Sequence, residues 1–187
     1  MNRSYHELAS AFAEPEKEDL RREHLRLFSL TVSGGISPYE TEYGREEIFQ
    51  KTQRLADIAG FYRAFGLEIR DGSRVDFISA ELDFMHWLQV KEGYARQKGE
   101  KEHAEICREA ARKFLNDHLG RWALFFGQKI VETAEHPFFR EAGEKLVRFI
   151  EEECRRLGAE PERLTERQPV IPEQEFTCEG GTGVCLT

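Results

Sequence analysis

The sequence predicts an all-α fold, on three observations. Apolar residues recur at three- and four-residue spacing through nearly the whole chain, which marks one buried face on each of several helices. Runs that alternate apolar and polar, as half-buried strands do, are hard to find. Prolines number only six in 187 residues, and long charged stretches separate the apolar positions. A chain of this length corresponds to one domain. It can bury about 70% of the surface it would expose unfolded, so it needs no disulfide or metal to fold. The expected architecture is a single-domain bundle of about seven helices over residues 1–158, followed by an irregular C-terminal tail over 159–187.

Each helix has its own justification. Tyr5, Leu8, Ala9 and Phe12 mark a short first helix. Pro15 can open a second, since a first turn tolerates proline; it carries Leu20, Leu27 and Phe28 and ends near Leu30. Ser33-Gly34-Gly35 and Ser37-Pro38 break the pattern into a loop that lasts to Gly44. A third helix starts near Arg45 with Ile48, Leu55, Ile58, Tyr62 and Phe65 on one face, and Gly66 caps it. Asp71-Gly72-Ser73 is turn chemistry. A central helix runs from about Val75 to Ala95 and another from about Glu100 to Asn116. Leu119, Trp122, Phe126 and Ile130 define the next. Pro137 opens the last, with Phe139, Ala142, Leu146 and Ile150 inward, and Gly158 ends it.

The central helix carries the most information. On a wheel of about 100° per residue its apolar arc covers well over half the circumference, wider than an ordinary surface helix shows, so protein should surround it. Asp76, Ser79, Asp83 and His86 share the remaining sector, the expected solvent or groove side. Glu81 falls inside the apolar arc. A carboxylate there is costly unless it is paired or hydrogen-bonded. Two readings stay open for it: a structural ion pair or cap contact, or a group facing a groove that receives a donor-rich ligand.

Charge and composition exclude several classes. Asp plus Glu outnumber Lys plus Arg by 35 to 27, a net charge of −8. A general nucleic-acid binder needs the opposite sign; a basic partner suits this one. No run of 18 apolar residues would cross a membrane, and no export signal is visible at the start, so a cytoplasmic location is expected. Cys107, Cys154, Cys178 and Cys185 are too few and scattered for a disulfide framework. No phosphate-cradling or nucleophile-elbow motif occurs, and no cofactor is expected.

Four segments together resemble the TorD/DmsD/NarJ family of redox-enzyme maturation chaperones. They are Ser37-Pro38-Tyr39-Glu40-Thr41-Glu42-Tyr43-Gly44; Asp57 through Gly66; Arg74 through Met85, similar to a signature leading into Glu-Leu-Glu-Phe-Met; and Phe114, His118, Leu119 and Trp122. Order and spacing agree over about residues 37–126. One departure is that the family's Pro-Asp-His reads Val75-Asp76-Phe77 here, so no ligand-contacting histidine carries over. The resemblance implies a helical chaperone, not an enzyme. It would bind the twin-arginine signal peptide or N-terminus of a molybdopterin-containing oxidoreductase subunit and hold it until cofactor insertion. It would do so as a monomer or a homodimer. Such a receptor should set carboxylates beside apolar surface, since a guanidinium pairs with carboxylates through a rigid fork. The candidate peptide-binding residues are Tyr39, Glu40, Glu42, Tyr43, Asp76, Phe77, Glu81, Asp83, Phe84, Trp87, His118 and Trp122, with a groove expected between the Tyr39–Tyr43 loop and the central helix. The competing reading is an adaptor that binds the mature subunit without reading a signal.

A helical metal enzyme is a further alternative. Glu100 and His103 form one Glu-x-x-His element of the di-iron type, and Asp83 and His86 imitate a second. Cys178 and Cys185 are weak metal candidates, because one pair supplies only two of the four ligands of a closed zinc site.

Overall fold

In the computed structural model, residues 5–29, 35–44, 48–68 and 74–165 are described, and among them every extended element is helical. The helices are α1 (Tyr5–Phe12), α2 (Glu18–Phe28), α3 (Ile48–Ala64), α4 (Ile78–Lys98), α5 (Lys101–Asp117), α6 (Leu119–Thr133) and α7 (Pro137–Leu157). A 3-10 turn spans Glu40–Glu42. Three boundaries differ from expectation. The second helix begins at Glu18, three residues after Pro15, and the central helix begins at Ile78, not near Val75, and ends at Lys98, not near Ala95.

The packing follows the apolar stripes. α6 lies along α7, α4 along α5, and α1 across α4 and α7. One aromatic core joins them, with Phe12, Phe84, Phe114, Trp122, Phe126 and Phe139 all almost fully buried. α6 and α7 come close because neither carries a side chain at the crossing. A Cβ on Gly127 would lie 2.8 Å from the Val147 side chain, and one on Gly143 would lie 2.8 Å from the Gly127 carbonyl oxygen. α1 is tied down at both ends: the Tyr5 hydroxyl donates to Glu153 (2.8 Å) and the Ser79 hydroxyl to the Ala9 carbonyl (2.8 Å). α3 is lightly packed. Only Ile58 and Tyr62 are buried along it, and Ile48, expected inward, is 84% exposed.

Residues 159–165 are fastened to the bundle and form part of its surface. Ala159 is buried, the Glu160 N–H donates to the Asn116 side-chain oxygen (2.7 Å), and the Leu164 N–H donates to the Arg121 carbonyl (2.7 Å). Cys178 and Cys185 lie outside the described residues.

Glu23 joins α2 to the α6–α7 corner. Its carboxylate accepts two hydrogen bonds from Arg26 (2.7 and 2.8 Å) and one each from the Glu135 and His136 backbone N–H groups (2.7 and 3.2 Å). Hydrogen bonding by Arg26, reinforced by the two N–H groups and opposed by burial, lowers its pKa from 4.5 to about 2. A lowered folded-state value stabilises above the unfolded pKa, and the contribution is lost as pH falls from 4.5 through 2. Glu23→Ala should therefore cost about 2–3 kcal/mol at neutral pH and flatten the acid limb of stability over that window. Urea unfolding across pH measures both, and an unchanged acid limb would show that the clamp contributes nothing.

Candidate functional site

The loop before α3 and the segment before α4 are zipped together. Tyr39 and Phe77 form an antiparallel bridge, the Glu40 N–H donates to the Asp76 carbonyl (2.9 Å), and the Ile78 N–H donates to the Pro38 carbonyl (2.9 Å). Asp76 drives this pairing. Its carboxylate accepts the Thr41 hydroxyl (2.8 Å), the Thr41 N–H (3.2 Å) and a two-pronged contact from Arg74 (3.0 and 2.8 Å). The Arg74 guanidinium also lies 3.9 Å from the centre of the Tyr39 ring. Tyr43 closes the loop on itself, donating to the Ser37 carbonyl (2.6 Å) and resting its ring on Trp122.

This geometry corrects two expectations. Among the described residues, backbone hydrogen bonds join the Tyr39–Tyr43 loop to the segment entering α4 where a groove was expected. Asp76 and Asp83 also do not share a helix sector. Asp76 precedes the helix in a turn and is fully buried, whereas Asp83 is exposed on α4 beside His6 (2.9 Å).

Beneath the loop lies a buried polar cluster. Glu81 of α4 is fully buried and accepts the Trp122 indole N–H (3.2 Å). Glu40 accepts from Arg54 (3.0 Å) and meets His118 Nδ1 (3.2 Å), while His118 Nε2 meets Asp57 (3.1 Å). Beyond each other, Glu81 Oε1 and Glu40 Oε2 have no hydrogen-bond partner. Burial, then the charge of Glu40 and a hydrogen bond with it, push the Glu81 carboxyl well above the usual carboxylate range. A proton on Glu81 lets two carboxyl groups share a dry site without like-charge repulsion. The Trp122 indole thus supplies a hydrogen bond that a carboxyl at this position needs, and Glu40 stands beside it.

The candidate residues divide accordingly. Glu40, Tyr43, Asp76, Glu81, Phe84, His118 and Trp122 are buried; Tyr39, Glu42 and Phe77 are partly exposed around the zipped loop; Asp83 and Trp87 are exposed elsewhere on α4. Phe84 packs on Tyr62 and Phe114 in the core.

An open groove of about 890 Å³ does reach this cluster, from the side of α3. Arg54 and Asp57 of α3 form one wall, Asn116, Asp117, His118 and Arg121 the α5–α6 corner, and Glu160 and Glu162 the opposite wall. Its acids stand in water: Asp57 is 59% and Asp117 39% exposed by side chain, and Glu160 and Glu162 are exposed. Of the twelve candidates only His118 lines it. The sequence reading missed Arg54, Asp57, Asp117 and the two glutamates. The available signal was weak: Arg54 and Asp57 sit one turn apart, with Asp57 immediately before the buried Ile58, on a helix with only two buried residues.

Among the described residues no group of His, Cys, Asp or Glu is arranged to hold a metal ion. Glu100 and His103 pair with each other at the surface (2.9 Å). No helix among them is long and apolar enough to cross a membrane.

Known proteins resemble this chain in sequence. Residues 1–126 match the family described as nitrate reductase delta subunit. The chain is 32% identical over 161 residues to the chlorate reductase assembly chaperone protein of Ideonella dechloratans, covering 81% of this chain and 77% of that one. It is 31% identical over 160 residues to the selenate reductase assembly chaperone protein of Thauera selenatis, with the same coverage. It is 29% identical over 99 residues to the perchlorate reductase assembly chaperone protein of Dechloromonas aromatica, covering 52% of this chain and 43% of that one. These relatives are assembly chaperones and not catalytic enzymes. The chain belongs to the nitrate reductase delta subunit family, within the NarJ/TorD-like chaperones.

Proposed function

We propose that the protein is a cytoplasmic chaperone for a molybdopterin-containing oxidoreductase subunit, and that it holds the twin-arginine signal peptide or N-terminal segment of that subunit until cofactor insertion and assembly. The observation that carries the reading is the groove beside His118, whose rim bears four exposed carboxylates, Asp57, Asp117, Glu160 and Glu162. Two peptide guanidinium groups find fork-shaped acceptors there. The buried Glu40, Glu81, Asp76 and Trp122 would shape the floor from beneath, and Tyr39, Glu42 and Phe77 would take the peptide beyond the arginines. Exposed acid–arginine pairs are worth about 0–1 kcal/mol each. The rim therefore sets selectivity, and apolar contacts supply most of the affinity.

Calorimetry with a twin-arginine peptide tests the assignment. The double variant Asp57→Asn, Glu162→Gln should fold normally and bind about tenfold more weakly, the loss of two such pairs. Unchanged affinity in the folded variant would sink the rim as the arginine site. A parallel measurement with the signal-less subunit distinguishes this reading from an adaptor that recognises only the mature protein.

A further inference from the structure

We propose that the cleft between α4 and α5 is a separate docking surface, shaped for an acidic amphipathic helix of a partner protein. It encloses about 540 Å³ and is lined by Phe65, Trp87, Val90, Tyr94, Ile106 and Cys107. It shares no residue with the groove beside His118.

The apolar side chains here stand in water. Trp87 is 37% exposed, Val90 46%, Tyr94 59% and Ile106 55%. On α4 they fall at i, i+3 and i+7, one continuous stripe about 10 Å long. Ile106 faces that stripe from α5, so two antiparallel helices leave a furrow of the width another helix fills.

The charges around the furrow select the occupant. Lys91 lies 5.0 Å from the centre of the Trp87 ring and Lys98 5.6 Å from the centre of the Tyr94 ring. Neither lysine is in an ion pair among the described residues, although the chain carries eight more acids than bases. Nearby charges of the other kind are already engaged: Glu92 by Arg96 (2.6 Å) and Glu100 by His103 (2.9 Å). The α4 wall thus offers two uncommitted cations flanking apolar surface. A helix with leucines on one face and glutamates beside them complements both features. A basic helix would set its charges against the lysines.

Fluorescence reads the site directly. The chain has two tryptophans, and Trp122 is fully buried, so changes in emission report Trp87. The probe is a synthetic helix of about four turns with leucines at i, i+3, i+4 and i+7 and glutamates on the flanks. Its control carries lysines in place of the glutamates. The acidic peptide is expected to shift Trp87 emission to the blue, and the shift should vanish in Trp87→Phe. Lys91→Glu with Lys98→Glu should weaken it at least tenfold and make the lysine peptide the better ligand. The same variant should bind a twin-arginine peptide as wild type does, which keeps this test independent of the groove beside His118. No shift with either peptide, or a preference that survives the charge swap, overturns the proposal. So does sedimentation showing a dimer that Tyr94→Asp converts to monomer, because a second copy would then be the occupant.

Discussion

Asp76→Ala is expected to lower the unfolding free energy by about 3–5 kcal/mol, because it leaves several donors of one buried network without an acceptor. The cost does not fall on Arg74, whose side chain is 39% exposed and can turn to water. It falls on Thr41, 2% exposed, whose hydroxyl and backbone N–H both lose their acceptor. Each such unsatisfied buried group costs about 1–3 kcal/mol. Asp76→Asn keeps one oxygen for Thr41 and loses the two-pronged Arg74 contact, so it should cost only about 1–2 kcal/mol. Urea unfolding gives the two values. Amide exchange adds a local readout, since the N–H groups of Glu40 and Ile78 bond across the zipped pair and should lose protection first in the alanine variant. An alanine protein within about 1 kcal/mol of wild type would mean that the loop docks without the carboxylate.

The helices were legible because their apolar spacing is strong. Phe139, Ala142, Leu146 and Ile150 are buried where the wheel put them, and Gly66 and Gly158 stand in positive-φ backbone at the ends of α3 and α7. The start of α4 was not legible. Val75, Asp76 and Phe77 fit a helical wheel, but Phe77 pairs with Tyr39, some 38 residues earlier, and that contact holds the backbone extended. Local periodicity carries no record of such a partner. Glu81 falls inside the apolar arc of its helix and is recognisable as a costly carboxylate, yet its companion Glu40 lies in a loop 41 residues away, so their meeting was invisible. The acid-rimmed groove was hidden for a further reason. Its walls come from α3, the α5–α6 corner and residues 160–162, and none of these segments alone looks like a site. Family resemblance located the Tyr39–Tyr43 loop, where Glu40 turns inward and Glu42 stays partly exposed.

Trp122→Ala is expected to cost about 3–5 kcal/mol, the range for emptying a large buried aromatic site. Trp122 is fully buried, stacks near Tyr43 and Phe126, and donates its N–H to Glu81. Trp122→Phe isolates the last of these, since it retains most of the packing and removes the donor. In wild type the Trp122 bond is the one contact that draws the Glu81 carboxyl down, against burial and Glu40. Losing it should therefore raise that group further. The sign of the pH effect follows. A carboxyl whose folded-state pKa stands above its ordinary 4.5 contributes stability that is full below 4.5 and is lost as pH rises through the folded value. Where this group titrates, the limit is about 1.4 kcal/mol per pH unit for one proton. Buried Tyr5 and Tyr62 are also pushed up, but from 10.0, so their loss begins later. Urea midpoints should decline for wild type as pH rises above 4.5, and for Trp122→Phe the decline should continue to higher pH. That decline should be missing from Glu81→Gln, whose amide needs no proton to sit beside Glu40; what remains is the opposite slope of His24, whose pKa burial lowers from 6.5, so that stability rises as pH climbs toward that value. The same slope in Glu81→Gln as in wild type would place the titrating group elsewhere. Loss of the decline in Glu81→Gln would tie the docking of the Glu40 loop on α4 to one proton on Glu81, linked through Glu40 to the Arg54 and His118 side chains that line the groove proposed to read the client peptide.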